Sequence, residues 1–234
     1  MLLNRDNWNK DDYKEFISYL FEIRDSKYKE FHSTLGVDNV IGIRIPTMRE
    51  IAKEIYRGNY KEFLSLVETN YYEEITIYGF VIDNIKELDT SVYYLDKYKY
   101  MINNWASCDT FCSSYKIVKK NKDYFFNYIN KNINSNNLWI RRLCFVLLLD
   151  YYVEEEYIDN IFMLCDKYNT KDYYVQMAVA WLISVCFVKY RDKTINYIKN
   201  NKLDDFTHNK SIQKIKESLR VCKEDKTFVD KLKR

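Results

Sequence analysis

The segment LWIRRLCFVLLLDYY, residues 138–152, is apolar on nearly every side of the helix that it predicts. A second segment of the same kind, YYVQMAVAWLISVCFV, spans residues 173–188. Helices that are apolar all round are typically packed between layers of other helices. Both segments are shorter than the ~18 uninterrupted apolar residues that a membrane span needs. They therefore predict the buried core of an all-helical protein.

Helices of this kind recur at a nearly constant spacing along the chain. Shorter amphipathic helices are expected between them, near residues 89–100, 121–133, 154–167 and 191–201. Helix pairs that repeat every ~34–47 residues are typical of an α-solenoid, in which each pair buries its apolar face on its neighbours. The pattern predicts an all-α superhelix of stacked helix pairs, formed by one domain over residues 1–234. The long helices are expected to begin near Tyr71, Asn104, Asn137, Lys171 and Thr207.

Start and stop signals agree with this organisation. Pro46 is expected in the first turn of a helix that runs to Ile55, because a first-turn residue has no helical hydrogen bond to lose. Gly58 follows where a left-handed C-terminal cap would fall. Asp89, Asn121 and Asp192 precede or begin three of the shorter helices, and we expect them to be N-caps.

Composition narrows the class of protein. Four glycines and one proline in 234 residues give too few turns for a sandwich of short strands. The net charge of +3 is too small to indicate a nucleic-acid partner by itself. From Thr207 to Arg234, however, nine Lys or Arg face four Asp or Glu, hence 9 − 4 = +5. This basic end is weak evidence for an anionic partner, and a solvated helix face is the alternative.

The cysteines and the N-terminus indicate an intracellular protein. Met1 to Leu3 run directly into Asn4-Arg5-Asp6, so no apolar signal-peptide core is present. Cys108 and Cys112 are one helical turn apart and could ligate a metal, but no CxxC pair or nearby histidine completes a site. We therefore expect buried free thiols, with no metal and no cofactor.

The period also aligns five polar or charged residues. Equivalent positions of successive repeats form a line on one surface of a solenoid, commonly the concave one. A buried Arg or Asp is costly unless it is paired or used. We therefore expect these residues to share one side of the molecule: Glu74, Asp109, Arg142, Gln176 and Lys210, separated by 35, 33, 34 and 34 positions.

A helix predicted from Asn104 to Lys120 carries the first candidate site residues. Trp105 and Asp109 lie about 40° apart beside its apolar face, and Lys116 and Lys120 are expected next to them. A large aromatic and a carboxylate would then share one wall with two cations. The alternative is a boundary tryptophan and a carboxylate paired with lysine.

Two further candidates interrupt the apolar segments. Arg142 suits the binding of a phosphate or a carboxylate, or alternatively pairs with Asp109 between helices. Trp181 is either a site residue or part of the core. Gly-rich phosphate loops, Ser-His-Asp or Cys-His sets and metal clusters are missing. An enzyme with these residues is limited mainly to hydrolysis of an already activated bond.

Five stretches of the chain together resemble the AlkD-like DNA alkylation repair family. The resemblance covers the chain from about Tyr28 to its end and includes a Trp and an Asp four residues apart. It implies HEAT-like helical repeats that wrap duplex DNA in a basic concave cleft. The stretches are GIRIPTMREIAKEI (42–55), NNWASCDTFCS (103–113), NLWIRRLCFVLLLDYY (137–152), DYYVQMAVAWLISVCFVKY (172–190) and FTHNKSIQKIKESLRV (206–221).

The resemblance also implies an activity and assigns residues to it. Glycosylases of that family excise cationic N3- and N7-alkylpurines without a metal or cofactor. Trp105 and Asp109 match the family's Trp and Asp, Arg142 its active-site Arg, and Trp181 its second cleft Trp. Departures occur at two positions where active relatives tend to carry basic residues, which here are Asp150 and Ser184.

The function predicted from the sequence is therefore a DNA repair glycosylase, with Asp109, Trp105, Arg142 and Trp181 as catalytic residues. We expect a monomer that binds alkylated double-stranded DNA, acts on the nucleoid in a bacterial cytoplasm and has no membrane partner. A non-catalytic DNA-binding relative and a helical-repeat scaffold for a protein partner are the alternatives. The lysines expected to bind DNA are Lys116, Lys120, Lys210 and Lys214.

Overall fold

The computed structural model describes residues 1–234, which form 15 α-helices and no strand. This confirms the predicted all-α fold. The chain divides into two compact units, residues 1–120 and residues 121–234. Two such units can belong to one domain or to two, so the prediction of a single domain stays a prediction. No helix combines the length and the apolar content that crossing a membrane requires.

Unit 1 is a stack of helix pairs. Its long helices pack in sequence, α3 on α5 and α5 on α7, while α4 packs beside α3 and α6 beside α5. This is the helical-repeat arrangement that the period predicts. The helices are α1 (Lys10–Glu22), α2 (Ser26–Thr34), α3 (Ile45–Arg57), α4 (Tyr60–Leu66), α5 (Tyr72–Asn84), α6 (Leu88–Tyr98), α7 (Trp105–Ser114) and α8 (Ile117–Lys120).

Unit 2 repeats the arrangement. The two apolar segments form α10 and α12, which pack on each other, and α14 packs on α12. Shorter helices pack beside them, α9 with α10, α13 with α12 and α15 with α14. The helices are α9 (Lys122–Asn132), α10 (Leu138–Tyr151), α11 (Ile158–Lys167), α12 (Tyr173–Lys189), α13 (Arg191–Asn200), α14 (Asp205–Glu217) and α15 (Lys223–Asp230).

The predicted starts of the long helices are confirmed to within two residues. Three of the five, α7, α10 and α14, begin after a residue whose side chain caps the helix, which is a local sequence signal. The amide oxygen of Asn104 accepts from the N–H of Ser107 at the start of α7. That of Asn137 accepts from the N–H groups of Trp139 and Ile140 at the start of α10. Each amide satisfies donors that the first helical turn leaves unpaired.

Several smaller predictions need correction. Pro46 lies in the first turn of α3 and Asn121 is the N-cap residue of α9, as predicted. Asp89 and Asp192 are not N-caps, because each lies inside the first turn of its helix. Gly58 is not left-handed but extended, with φ −98°. A side chain there would bring its Cβ to 2.4 Å from the carbonyl oxygen of Arg5, so this close approach requires the glycine.

A buried carboxylate holds the loop before α3. Glu73 in α5 is fully buried, and its two oxygens accept from the backbone N–H groups of Ile41, Gly42 and Ile43 at 2.8–3.1 Å. Gly42 adopts a positive φ of 114°, which L side chains rarely reach. The carboxylate thus ties α5 to the segment that leads into α3.

Candidate functional site

The N-terminus of α7 carries the first pair of candidate residues. Trp105 is the first residue of the helix and half-buried, and its indole N–H donates to the carbonyl oxygen of Leu35 at 3.3 Å. Asp109 is also half-buried. Residues four apart on a helix share a face, so the carboxylate and the indole lie on the same side of α7. Leu35 ends α2, and the contact therefore ties the tryptophan to that helix.

The helix that begins at Trp105 is shorter than predicted. It ends at Ser114, where Tyr115 turns the chain out of the helix before the short α8. Tyr115 is fully buried and shares a hydrogen bond of 2.7 Å with the hydroxyl of Ser91. Lys116 and Lys120 are exposed beyond this break, so the expectation that they flank Asp109 on one continuous helix is wrong.

Lys116 lies instead in a basic cluster of unit 1. The cluster centres on Asp83, whose carboxylate interacts with Lys86, Lys116 and Arg49. Burial raises the pKa of Asp83, and the three cations and the backbone N–H of Lys116 oppose that rise. Three cations therefore interact electrostatically with one carboxylate.

Arg142 joins two helices of unit 2. Its side chain belongs to the buried middle of α10, and the residue is only 5% exposed. The guanidinium donates to the carbonyl oxygen of Tyr174 in the first turn of α12. A guanidinium held in this way has a fixed orientation, because its planar donors point in set directions.

Helices α10, α12 and α14 line a groove of about 650 Å³ in unit 2, called here the first groove. Arg142 lies along it, and so does Trp181, which is 38% exposed and therefore not a core residue. Lys214 of α14 reaches the same space. Three of the predicted site residues thus share one groove, although α10, α12 and α14 are far apart in the sequence.

The first groove contains charged residues that sequence reasoning missed. Lys189 and Arg220 add two cations to it. Glu217 adds a carboxylate that accepts from Lys214 at 2.8 Å, and this hydrogen bond is the largest of the effects that lower the pKa of Glu217. The helical spacing of Lys214 and Glu217 was a usable signal for the pair. No local sequence signal identifies Lys189 or Arg220 as a groove residue. Lys189 ends α12 and Arg220 follows α14, and the directions of both helices depend on packing.

The predicted line of five polar residues divides into two kinds. Glu74 is buried and accepts from the backbone N–H of Tyr71 at 2.7 Å and from the hydroxyl of Tyr13. Gln176 is buried and its amide donates to Asp204, the N-cap of α14, at 3.2 Å. These two residues satisfy helix ends and do not line the first groove. That the five residues share one side of the molecule stays a prediction.

Five of the six cysteines are buried and free, as predicted. Cys108 and Cys112 are buried and free, and only Cys222 of the six is exposed. Burial raises the pKa of the Cys165 and Cys186 thiols, which keeps them protonated. No group of three or more His, Cys, Asp or Glu residues is arranged to hold a metal ion.

Comparison with known proteins places the chain in a family. No significant match was found among curated proteins. A family model described as DNA alkylation repair enzyme matches residues 14–215. The matched range contains α7 and most of the first groove, including Arg142, Trp181 and Lys214. Because this range is most of the chain, the protein belongs to the DNA alkylation repair enzyme family.

Proposed function

We propose that the protein is a DNA glycosylase, a hydrolase that cleaves the N-glycosidic bond of cationic N3- and N7-alkylpurines in duplex DNA. Membership of the family gives the chain a role in the repair of alkylated DNA. One observation is the main support for the more specific proposal of glycosylase activity. The first groove combines a fixed guanidinium at Arg142, an exposed indole at Trp181 and the ammonium of Lys214. A phosphate backbone and a cationic sugar intermediate are ligands that such groups stabilise.

The proposed reaction is a hydrolysis with water as the only co-substrate. An N3- or N7-alkylated purine carries a positive charge, so breaking the bond between C1′ and the base nitrogen releases a neutral base. The sugar then has oxocarbenium character. A water oxygen bonds to C1′, and its proton passes to the carboxylate of Asp109. The carboxylate also stabilises the sugar cation before the water adds.

The aromatic and cationic residues have separate roles in this proposal. Trp105 and Trp181 present ring faces, whose negative electrostatic potential favours a nearby cation. Arg142 holds a phosphate of the damaged strand, because its donors match phosphate geometry. Lys116, Lys120, Lys210 and Lys214 contact backbone phosphates without regard to base sequence. The protein is proposed to act as a monomer, on the nucleoid in the cytoplasm of a bacterium.

A DNA-binding relative without glycosylase activity is the second candidate. Ser184 favours it, since this residue lies along the first groove where active relatives tend to carry a basic side chain. Its hydroxyl donates to the carbonyl oxygen of Trp181 at 2.7 Å and adds no charge. The carboxylate of Glu217 further lowers the positive charge of the groove. Both features weaken phosphate binding.

The test is release of alkylated bases. The full-length protein is incubated with duplex DNA treated with a methylating agent, and the released bases are separated by chromatography. We expect release of 3-methyladenine and 7-methylguanine, and none from untreated duplex. Binding of duplex DNA without release would favour the non-catalytic relative. Undetectable duplex binding even at low salt would favour the protein scaffold.

A further inference from the structure

A second groove of unit 2 lies along a different part of α14. It has a volume of about 580 Å³, and none of its residues is needed for the reaction proposed above except Lys210, which was assigned to a phosphate. Its lining combines one aromatic ring with three lysines, two amides and one carboxylate: Phe206, Asn209, Lys210, Gln213, Lys216, Glu217 and Lys233.

Phe206 lines this second groove, and a second exposed ring lies beside it. Phe206 is 40% exposed, and Tyr173 at the start of α12 is 55% exposed. Their ring centroids are 6.1 Å apart. The ammonium of Lys210 lies 5.7 Å from the centroid of the Phe206 ring. The exposed rings of Phe206 and Tyr173 therefore lie beside each other, and the ammonium of Lys210 lies next to Phe206.

The cations of the second groove exceed its carboxylates. Lys216 and Lys233 both pair with Asp230, each at 2.7 Å. Lys210 donates to the neutral amide of Gln213, and Glu217 pairs with Lys214 of the first groove. With Lys214 included, four lysines thus stand against two carboxylates, Asp230 and Glu217. The surplus positive charge suits an anionic ligand.

The segment that carries Lys233 is held in place. Asn209 and Arg234 exchange two hydrogen bonds, of 2.8 Å and 3.0 Å. The guanidinium of Arg234 donates to the carbonyl oxygens of Leu203 and Asn201, at 2.8 Å each. The backbone at Lys233 is therefore fixed against α14 before any ligand binds. Binding then costs less conformational entropy, because this segment is already ordered.

We propose that the second groove binds an unpaired DNA strand, with a base stacked on Phe206 and Tyr173 and phosphates contacted by Lys210 and Lys233. Exposed rings beside lysines are what a single strand requires, because every unpaired base offers a face for stacking. In a duplex those faces are already stacked on neighbouring bases. The proposal rests on the DNA binding proposed above and not on base excision.

The test measures affinity for a labelled single strand of twelve thymidines by fluorescence anisotropy. Phe206→Ala should weaken that affinity roughly 5- to 150-fold, the range expected for loss of one stacked base. Phe228→Ala is the matched control, because Phe228 is 38% exposed and has Lys199 at 5.6 Å from its ring but lines neither groove. It should change the affinity less than twofold.

Two further measurements keep the outcome decisive. Lys233→Gln should reduce the salt dependence of single-strand binding, and Phe206→Ala should leave duplex affinity and melting temperature unchanged. Failure of the wild type to bind the single strand at low salt would overturn the proposal. So would equal losses from Phe206→Ala and Phe228→Ala. If single-strand binding behaves as expected while no base is released from methylated duplex, only the glycosylase proposal fails.

Discussion

The N-terminus of α7 in unit 1 and the first groove of unit 2 hold two tryptophans in different ways. The indole N–H of Trp105 is bound to the end of α2, and the loop before α3 is held by the buried carboxylate of Glu73. Trp181 lies in an open groove that is lined by several cations, Lys189 and Lys214 among them. Unit 1 therefore presents its candidate groups on a rigid frame, whereas unit 2 concentrates charge. Substitution of Asp109 or Glu73 should affect chemistry or folding, and charge reversal of a lysine along the first groove should affect DNA affinity.

The largest effect is expected from Asp109→Asn. Asparagine keeps the size of the side chain but loses its charge and basicity. Loss of a group that stabilises the sugar cation and activates water should lower the rate of 7-methylguanine release ~10²–10⁴-fold. Duplex affinity should stay the same or rise slightly, since a negative charge near phosphates is removed.

Melting temperature separates this role from a structural one. A carboxylate that only stabilises the fold would lower the melting temperature when replaced, and activity would fall only with the folded fraction. Asp89→Asn, an exposed position in the first turn of α6, serves as the control. An unchanged rate in fully folded Asp109→Asn would remove Asp109 from the reaction.

Glu73→Gln should have the next largest effect, on stability rather than on chemistry. Glutamine keeps one oxygen, which can still accept from Gly42 and Ile43, but its NH₂ group would face the N–H of Ile41 and leave both groups unpaired. Such a loss in a buried site costs about 3 kcal/mol. For a chain of this size that lowers the melting temperature by roughly 6–12 °C. Glu54→Gln, at an exposed pair with Arg57, should change it by no more than about 2 °C. Equal shifts for the two variants would contradict the rigid-frame interpretation of unit 1.

Lys214→Glu tests the charge of the first groove. Reversal of this charge should weaken duplex binding on the order of tenfold and lower the salt slope by about one. The loss should be the same for any base sequence, because phosphate contacts carry no sequence information. Lys193→Glu makes the same change in net charge on α13, where Lys193 pairs with Glu155. A comparable loss from Lys193→Glu would mean that net charge and not the groove governs binding.

The sequence predicted most of the fold but only part of the site. The long helices were predictable because their caps are local, as at Asn104 and Asn137, and because their apolar residues recur with a period. The end of α7 was not, since it depends on the burial of Tyr115 against Ser91, 24 positions away. Glu74 has the spacing of a site residue, but in the structure it accepts hydrogen bonds from the hydroxyl of Tyr13 and the backbone N–H of Tyr71.

The smallest expected effect concerns the two histidines, one in each unit. Burial lowers the pKa of both His32 and His208 below the usual 6.5. In unit 2, Nε2 of His208 donates to the carbonyl oxygen of Leu232 at 2.8 Å, which leaves Nδ1 to accept from the amide of Asn201 at 3.1 Å. In unit 1, Nε2 of His32 contacts the hydroxyl of Tyr28 at 2.9 Å. Both folded sites therefore favour the neutral ring.

The sign of the pH dependence follows from these lowered pKa values. Above about pH 6.5 both rings are neutral in the folded and the unfolded chain, and the stability that the sites contribute is fully present. As pH falls below 6.5 the unfolded chain binds protons first, so the free energy of unfolding decreases until the folded sites also titrate.

His208→Gln keeps a donor for Leu232 but cannot take up a proton. Urea unfolding between pH 7.5 and 5.5 should give a smaller loss of stability for this variant than for the wild type, by less than ~1.4 kcal/mol per pH unit. His32→Gln should give a reduction of similar size in unit 1. If neither variant changes the slope, the acid sensitivity arises from carboxylates and not from the buried rings.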